Sequence, residues 1–484
     1  MSATRFAAAA LLLTAFSACT PKAEDRSVFA WQDCGHSRFA DWQLGDVPEG
    51  TQCGTLTVPL DAAQAQGQSV TLALTRRPAD NTPARLGSLL VIPGGPGQHS
   101  LEWWTFLDPE SLHEMQQHFD LIGLAPRGIA PSTPALDCGE AGWHGDTGAQ
   151  DRVAACVRHS GSAFLAHLST ADAVADVEAL RRALGEEQIN FLAYSYGTKV
   201  AALYLRQHPA QVRAAVLDGV VDTTEDWFAM LCGQERALQH TFARFAADCA
   251  QSTDCPLTGD DSAVAQFHRL VNAIEAQNLT DRLGRPIRGE EVLAVVNENL
   301  MWPDTWPHIR RLLQDLAQGH TDTFHALTYD NPYALSVVAV PDSRHWSLFA
   351  VNCADSAPPP GRDRAGYLNN MQAVDALADY DNYRPRSEAD LLDECYYWPH
   401  AGNDDLSPPP PAPAHSVLLV AQTGDPATPY ANAERMAAHW RAPLLTRDSD
   451  GHTLALAGVS RCIDERVLAY LRQPESGAAH TCAD

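Results

Sequence analysis

One serine stands at a junction where its hydroxyl could act as a nucleophile. Ser195 lies in the pentapeptide AYSYG, residues 193–197, between a strand pattern, INFLAY, and a helix pattern, GTKVAALYLRQ. A sharp turn from strand to helix exposes a serine hydroxyl at the N-terminus of the helix. The pentapeptide alone is weak evidence, because a pattern this short also arises by chance.

A serine hydroxyl needs a base to take its proton and a carboxylate to orient that base. Where the serine sits on such a turn, the acid and the histidine follow it in that order along the chain. Asp425 follows a strand pattern at 416–422, and His452 follows the next strand pattern at 444–447. Open α/β sheets build their sites at these carboxyl ends. We therefore predict that Asp425 is the acid and His452 the base.

Both residues also have a purely structural interpretation. Asp425 precedes a proline and is of the type that caps a turn, and His452 is one of 19 histidines. The competing histidines are less well placed. His415 precedes its strand, His400 lies in a helical region, and His99 lies on a loop before the serine.

A tetrahedral intermediate on Ser195 needs two backbone N–H donors for its oxyanion. We expect one from Tyr196, the residue after the nucleophile, and one from the glycine loop at 94–97, GGPG, after the first strand. Gly95 is the predicted donor in that loop, because Pro96 has no N–H. An ordinary Gly-Pro turn is the alternative interpretation of the loop.

From residue 87, apolar runs alternate with helical periodicity, which is typical of a mostly parallel α/β sheet flanked by helices. Strands are predicted at 88–93, 119–124, 189–194, 214–217, 416–422 and 444–447, and helices at 170–184, 197–207, 430–441 and 463–471. Residues 222–406 interrupt this alternation with mainly helical, tryptophan-rich sequence. We expect a core of residues 30–221 and 407–484, with 222–406 inserted as a helical lid.

The charge of the chain excludes one class of partner. Its 484 residues include 60 acidic and 34 basic side chains, a formal charge of −26. Nucleic acid and anionic lipid surfaces would repel such a chain.

The N-terminus has the pattern of an export signal. Arg5 precedes the apolar run FAAAALLLTAFSA, which is too short to span a bilayer. Residues 1–18 are the predicted signal peptide, and Ser17-Ala18-Cys19 resembles a lipobox in which Cys19 is lipidated. An ordinary cleaved signal is the alternative, because Phe16 replaces the usual leucine. We expect a periplasmic, cell-envelope or secreted protein, with membrane contact only through Cys19.

Twelve cysteines in an exported chain indicate disulfides. Spacing alone does not decide connectivity, but with Cys19 set aside as the lipidation site, pairing neighbours in sequence leaves Cys232 unpaired. A zinc site is the weaker interpretation, since no CxxC pair occurs. The hypothetical pairs are Cys34–Cys53, Cys138–Cys156, Cys249–Cys255, Cys353–Cys395 and Cys462–Cys482.

With these residues in place, the sequence resembles the serine aminopeptidases of the α/β-hydrolase fold, in the tripeptidyl-aminopeptidase-like branch related to proline iminopeptidases. The C-terminal cysteine placement also resembles this branch. The matching stretches are 93–97, PGGPG; 120–134, DLIGLAPRGIAPSTP; 189–222, which includes SYGT and LDGVVD; 424–429, GDPATP; and 450–453, DGHT, continuing to Cys482.

The resemblance implies amide hydrolysis from a free peptide N-terminus through an acyl-enzyme on Ser195, with no metal or organic cofactor. An exopeptidase must also bind the substrate ammonium, which a desolvated carboxylate does well. The candidates are Glu225, Asp226, Glu235 and Asp355.

The chain departs from the family pattern in two places. Ala125 replaces the aspartate that usually stands two residues before the arginine, which removes one expected partner of Arg127 and is expected to alter the loop beside the site. Gln98 and His99 follow the glycine loop where glycine is usual.

Two other functions remain open from the sequence. An exported esterase or lipase would use the same triad, and a catalytically silent binding protein could keep the same fold.

Overall fold

One sheet of ten strands forms the core of the computed structural model, which describes residues 30–139, 148–331, 334, 341–358 and 363–484. The predicted signal segment and Cys19 lie outside these residues. The strands are β1 (Gln32–Asp33), β2 (Gln52–Pro59), β3 (Ser69–Arg77), β4 (Ser88–Ile92), β5 (Asp120–Ala125), β6 (Ile189–Tyr194), β7 (Val212–Asp218), β8 (Val417–Gly424), β9 (Leu444–Asp450) and β10 (His480–Cys482).

The sheet order is β1-β2-β3-β5-β4-β6-β7-β8-β9-β10. The pairs from β5 through β10 are parallel, and β1, β2, β3 and β5 pair antiparallel. The central strands are apolar throughout because both of their faces are covered, as parallel strands require. Leu89 and Val91 pack into the cluster on one face, and Leu90 and Ile92 into the cluster on the other. The predicted fold class is confirmed.

The sheet is joined by helices, and a long helical segment lies between β7 and β8. We call residues 222–406 the helical insertion. The helices are α1 (Pro109–Gln116), α2 (Ala149–Ser160), α3 (Ser162–Leu165), α4 (Thr170–Ala183), α5 (Tyr196–Gln207), α6 (Trp227–Cys249), α7 (Ala263–Glu275), α8 (Gly289–Leu300), α9 (Trp306–Ala317), α10 (Asp322–Leu327), α11 (Ser343–Ser356), α12 (Arg364–Asp375), α13 (Glu388–Leu391), α14 (Glu394–Tyr397), α15 (Tyr430–Trp440) and α16 (Arg461–Arg472).

The helical insertion has an apolar cluster of its own, built from α6, α7, α8 and α9 around Phe242, Phe267 and Leu312. Of its tryptophans, Trp306, Trp346 and Trp398 are buried, whereas Trp302 is 41% exposed. Within the described residues, we find no helix with the length and apolar character needed to cross a bilayer.

Five disulfides join the cysteines that are neighbours in sequence. The bonds are Cys34–Cys53, Cys138–Cys156, Cys249–Cys255, Cys353–Cys395 and Cys462–Cys482. Cys232, half-buried on α6, is the one cysteine of the described ranges without a disulfide.

Arg127 has another carboxylate partner in place of the aspartate missing at position 125. Its guanidinium is buried and donates to both carboxylate oxygens of Asp176 on α4, at 2.8 and 2.7 Å. It also donates to the backbone carbonyls of Leu60 and His167. A carboxylate from a neighbouring helix thus replaces the aspartate that is missing at position 125.

Candidate active site

Ser195 occupies a strained turn between β6 and α5, with φ 52° and ψ −126°. Few non-glycine residues adopt a positive φ, and such strain is common at functional sites. The Ser195 N–H donates to the Asp218 carbonyl at 2.8 Å, and its own carbonyl accepts the N–H and hydroxyl of Thr198. These bonds on both sides hold the turn, which is the elbow that the sequence predicts.

Two glycines allow the chain to pass closely around this turn. A Cβ on Gly94 would lie 2.8 Å from the Cβ of Ser195. A Cβ on Gly197 would lie 2.5 Å from the carbonyl oxygen of Ile92. Real Cβ atoms do not approach so closely, so a side chain at either position would displace the serine turn or the glycine loop beside it.

Asp425 and His452 form a buried pair at the carboxyl ends of β8 and β9. The Nδ1 atom of His452 lies 2.9 Å from each carboxylate oxygen of Asp425. Asp425 also accepts the backbone N–H of Ala427 at 2.9 Å and both the N–H and the hydroxyl of Thr428 at 2.8 and 2.9 Å. The carboxylate is therefore fixed by several donors, and it orients the imidazole.

The electrostatics of His452 suit a base that gains and loses a proton. Burial by itself lowers the pKa of this histidine, but the Asp425 carboxylate outweighs burial, and the net pKa lies above 6.5. Asp218 raises the pKa of His452 further through its charge. An imidazolium formed during the reaction is thereby stabilised.

The two predicted oxyanion donors are both open. No described residue accepts a hydrogen bond from the N–H of Gly95 or from that of Tyr196 at the first turn of α5. The glycine loop passes close to Ser195 at Gly94, the residue that precedes Gly95.

The competing histidines have other environments. The His400 imidazole contacts Ser162 at 3.0 Å, and the carbonyl of His415 accepts the phenol of Tyr470. His99 is half-buried just after the glycine loop, and its desolvation lowers its pKa.

Sequence reasoning missed several residues that hold His452. The backbone N–H of His452 donates to the carbonyl of Met301 at 3.0 Å, and the backbone carbonyl of His452 accepts the indole N–H of Trp302 at 2.8 Å. Both belong to the helical insertion, and no local pattern marks them. Asp218 was also missed, although a carboxylate at the end of a predicted strand is a recognisable signal.

Three of the four candidate ammonium ligands are already engaged. Asp355 pairs with Lys199, Glu225 pairs with Arg435, and Asp226 caps α6. Glu235 on α6 has no hydrogen bond or ion pair with any described residue. Burial raises the pKa of Glu235 to about 7.

A family model described as the alpha/beta hydrolase fold matches residues 87–456, so this chain belongs to the α/β-hydrolase family. It is 32% identical to the serine protease Hip1 of Mycobacterium tuberculosis (strain ATCC 25618 / H37Rv), across 92% of this chain and 93% of that protein. It is 33% identical to carboxylesterase B of the same strain, across 87% of this chain and 84% of that protein. It is 26% identical to the tripeptidyl aminopeptidase of Streptomyces lividans, across 95% of this chain and 87% of that protein. Within the family, the protein is a serine hydrolase.

Proposed function

We propose that the protein is an exported serine exopeptidase that hydrolyses peptides from the free N-terminus, in the manner of a tripeptidyl or prolyl aminopeptidase. The observation that carries this proposal is the buried Asp425–His452 pair at the same sheet edge as the strained Ser195 turn. Likeness to a serine protease and to a tripeptidyl aminopeptidase over most of the chain supports peptide substrates.

The proposed mechanism runs through an acyl-enzyme. His452 Nε2 takes the proton of Ser195 Oγ, which bonds to the substrate carbonyl carbon. The N–H groups of Gly95 and Tyr196 stabilise the resulting oxyanion. His452 then protonates the leaving amine as the C–N bond breaks. Water, deprotonated by His452, releases the acyl group and restores Ser195.

We assign the substrate ammonium to Glu235. Glu235 is half-buried and has no ion pair within the described part of the chain, although the charge of Arg386 lowers its pKa. Such a carboxylate gains from a bound ammonium, because binding adds a charge-assisted hydrogen bond. The neighbouring Gln234 donates to the carbonyl of Ala427, two residues from Asp425, at 2.9 Å. Glu235 therefore lies on the helix that covers the acid loop.

The helical insertion acts as the lid in this proposal. Arg244 of α6 donates to the carbonyl of Gly424 and pairs with Asp450, at the ends of β8 and β9. These contacts close the insertion over the strand ends that carry the acid and the base.

Export is supported by the five disulfides, which persist in oxidising compartments. A signal peptide at residues 1–18 and a lipid anchor at Cys19 belong to this proposal.

An esterase is the second candidate, because the chain is similar to a carboxylesterase over most of its length. A panel separates the two: free-amine aminoacyl and tripeptidyl anilides, their N-acetylated forms, and short acyl esters. We expect turnover of the free-amine anilides. Turnover of only blocked or ester substrates would favour the esterase, and a Ser195 that a fluorophosphonate does not label would favour a silent binding protein.

A pair of variants tests the ammonium site within the same panel. Glu235→Gln should raise KM for free-amine anilides by about 10-fold or more, which corresponds to one charged hydrogen bond. Glu225→Gln is the matched control on the same segment, because its carboxylate is occupied by Arg435. Equal effects of the two variants would reject Glu235.

A further inference from the structure

Asp218 forms hydrogen bonds both with the backbone of Ser195 and with the loop that follows His452. It is the last residue of β7 and lies opposite Tyr194 in the register with β6. Its carbonyl accepts the Ser195 N–H at 2.8 Å. Its carboxylate Oδ2 accepts the N–H groups of Leu454 and Ala455, each at 2.7 Å. A single residue thus joins the two halves of the site, through its backbone carbonyl on one side and its carboxylate on the other.

The loop that Asp218 holds is strained. Thr453 and Leu456, which follow His452, have φ values of 58° and 60°. A β-branched residue such as threonine adopts this conformation only when its surroundings impose it. Asp218 secures the first part of the loop, and Asp464 accepts the N–H of Leu456 at 2.6 Å.

The second oxygen of Asp218 is unused. Oδ1 is buried and finds no hydrogen-bond partner among the described residues. The titratable groups that interact with this carboxylate through their charge are the imidazole of His452, the carboxylate of Asp425 and the phenol of Tyr194. Holding the two loop N–H groups needs only Oδ2 of Asp218. That role does not explain why the buried Oδ1 has no hydrogen-bond partner among the described residues.

We propose that Asp218 is a positioning residue that keeps His452 in register with Ser195 and places a second carboxylate beside the catalytic imidazole. The inference rests on the proposed roles of Ser195 and His452. Burial raises the pKa of Asp218, and the hydrogen bonds from the N–H groups of Ala455 and Leu454 lower it. Burial has the larger effect, and the resulting pKa is about 7. Its negative charge raises the pKa of His452. Removing that charge while keeping the oxygen must lower the pKa of the base.

Asp218→Asn makes this change, since the amide oxygen still accepts both loop N–H groups. We expect the acid limb of the kcat/KM pH profile to move to lower pH by roughly 0.5 to 1 unit. Asp218→Ala also frees the loop, and its kcat should fall by about 10-fold or more. Asp464→Asn is the matched control: it loosens the same loop without changing the charge beside His452, so its acid limb should stay in place.

A wild-type acid limb in Asp218→Asn would overturn the inference. If Asp218→Asn does not fold, the wild-type protein provides the test. The Nδ1–H resonance of His452 is followed by NMR against pH, and we expect it to shift with two ionisations, that of His452 and that of Asp218. A single ionisation there also overturns it. Failure of the proposed roles of Ser195 and His452 is distinct, because Ser195 would then resist a fluorophosphonate or Ser195→Ala would keep its turnover, and failure of the exopeptidase assignment alone appears in the substrate panel as turnover of only blocked or ester substrates.

Discussion

The indole N–H of Trp302 donates a hydrogen bond to the backbone carbonyl of His452 across 2.8 Å. The adjacent Met301 carbonyl accepts the His452 N–H at 3.0 Å. Both backbone groups of the proposed base are therefore bonded by the helical insertion. Any movement of residues 301–302 away from the core must release His452, so we expect catalysis to depend on closure of the insertion.

Trp302→Phe removes the indole N–H and keeps an aromatic ring. Loss of one hydrogen bond of about 1 kcal/mol should lower kcat roughly 5-fold, with a smaller change in KM. Steady-state kinetics on a free-amine anilide measures both. Trp227→Phe, which removes an indole N–H bonded to Asp393 elsewhere in the insertion, is the control. Equal losses in the two variants would contradict a specific role for Trp302.

Asp425→Asn should keep the fold and lower kcat by about 10⁴-fold, because the amide favours the wrong imidazole tautomer. Active-site labelling and turnover, with circular dichroism as a folding check, test this prediction. Asp448→Asn changes an exposed carboxylate on the neighbouring strand β9, bonded only to the Thr423 hydroxyl among its described contacts, and should keep wild-type turnover. If Asp425→Asn retains substantial activity, another acid serves His452.

The pH dependence follows from the raised pKa of His452. The imidazole must be neutral to act as a base, so kcat/KM should fall on the acid side with an apparent pKa above 6.5. The contribution of this histidine to stability changes with pH in the opposite direction: it is complete below pH 6.5 and is lost as the pH rises through the raised folded-state pKa. Rate profiles and urea unfolding, both against pH, measure the two effects. An acid limb below 6.5 would contradict the prediction.

The buried pair of Arg127 and Asp176 is expected to matter for stability. Asp176→Asn leaves Asp172, 3.6 Å from the guanidinium, as the remaining charged partner of Arg127 among the described residues, and should cost about 3 kcal/mol in the free energy of unfolding. The double change Arg127→Met with Asp176→Leu should recover most of that loss, because it removes both buried charges. Denaturant unfolding measures each variant. A mild effect of Asp176→Asn would mean that the carbonyls of Leu60 and His167 suffice for Arg127.

Much of the core could be predicted because its signals are local. A buried parallel strand is a continuous apolar run, so β4 and β6 were predicted within one residue of their observed bounds. β7 was predicted too short, since Arg213 and Asp218 interrupt the apolar pattern at its ends. No strand was predicted before residue 87, because β2 and β3 pair antiparallel without a helix between them and so show no strand–helix alternation.

The sequence by itself determined the types and order of Ser195, Asp425 and His452, and the strands after which each stands. Only the tertiary structure decided what surrounds them. Trp302 lies 150 positions from His452, and Leu454 lies 236 positions from Asp218. Such contacts depend on how the insertion packs on the sheet and how β7 lies between its neighbours. Local periodicity reports which face of an element is apolar, but it carries no information about which distant backbone group that face will meet.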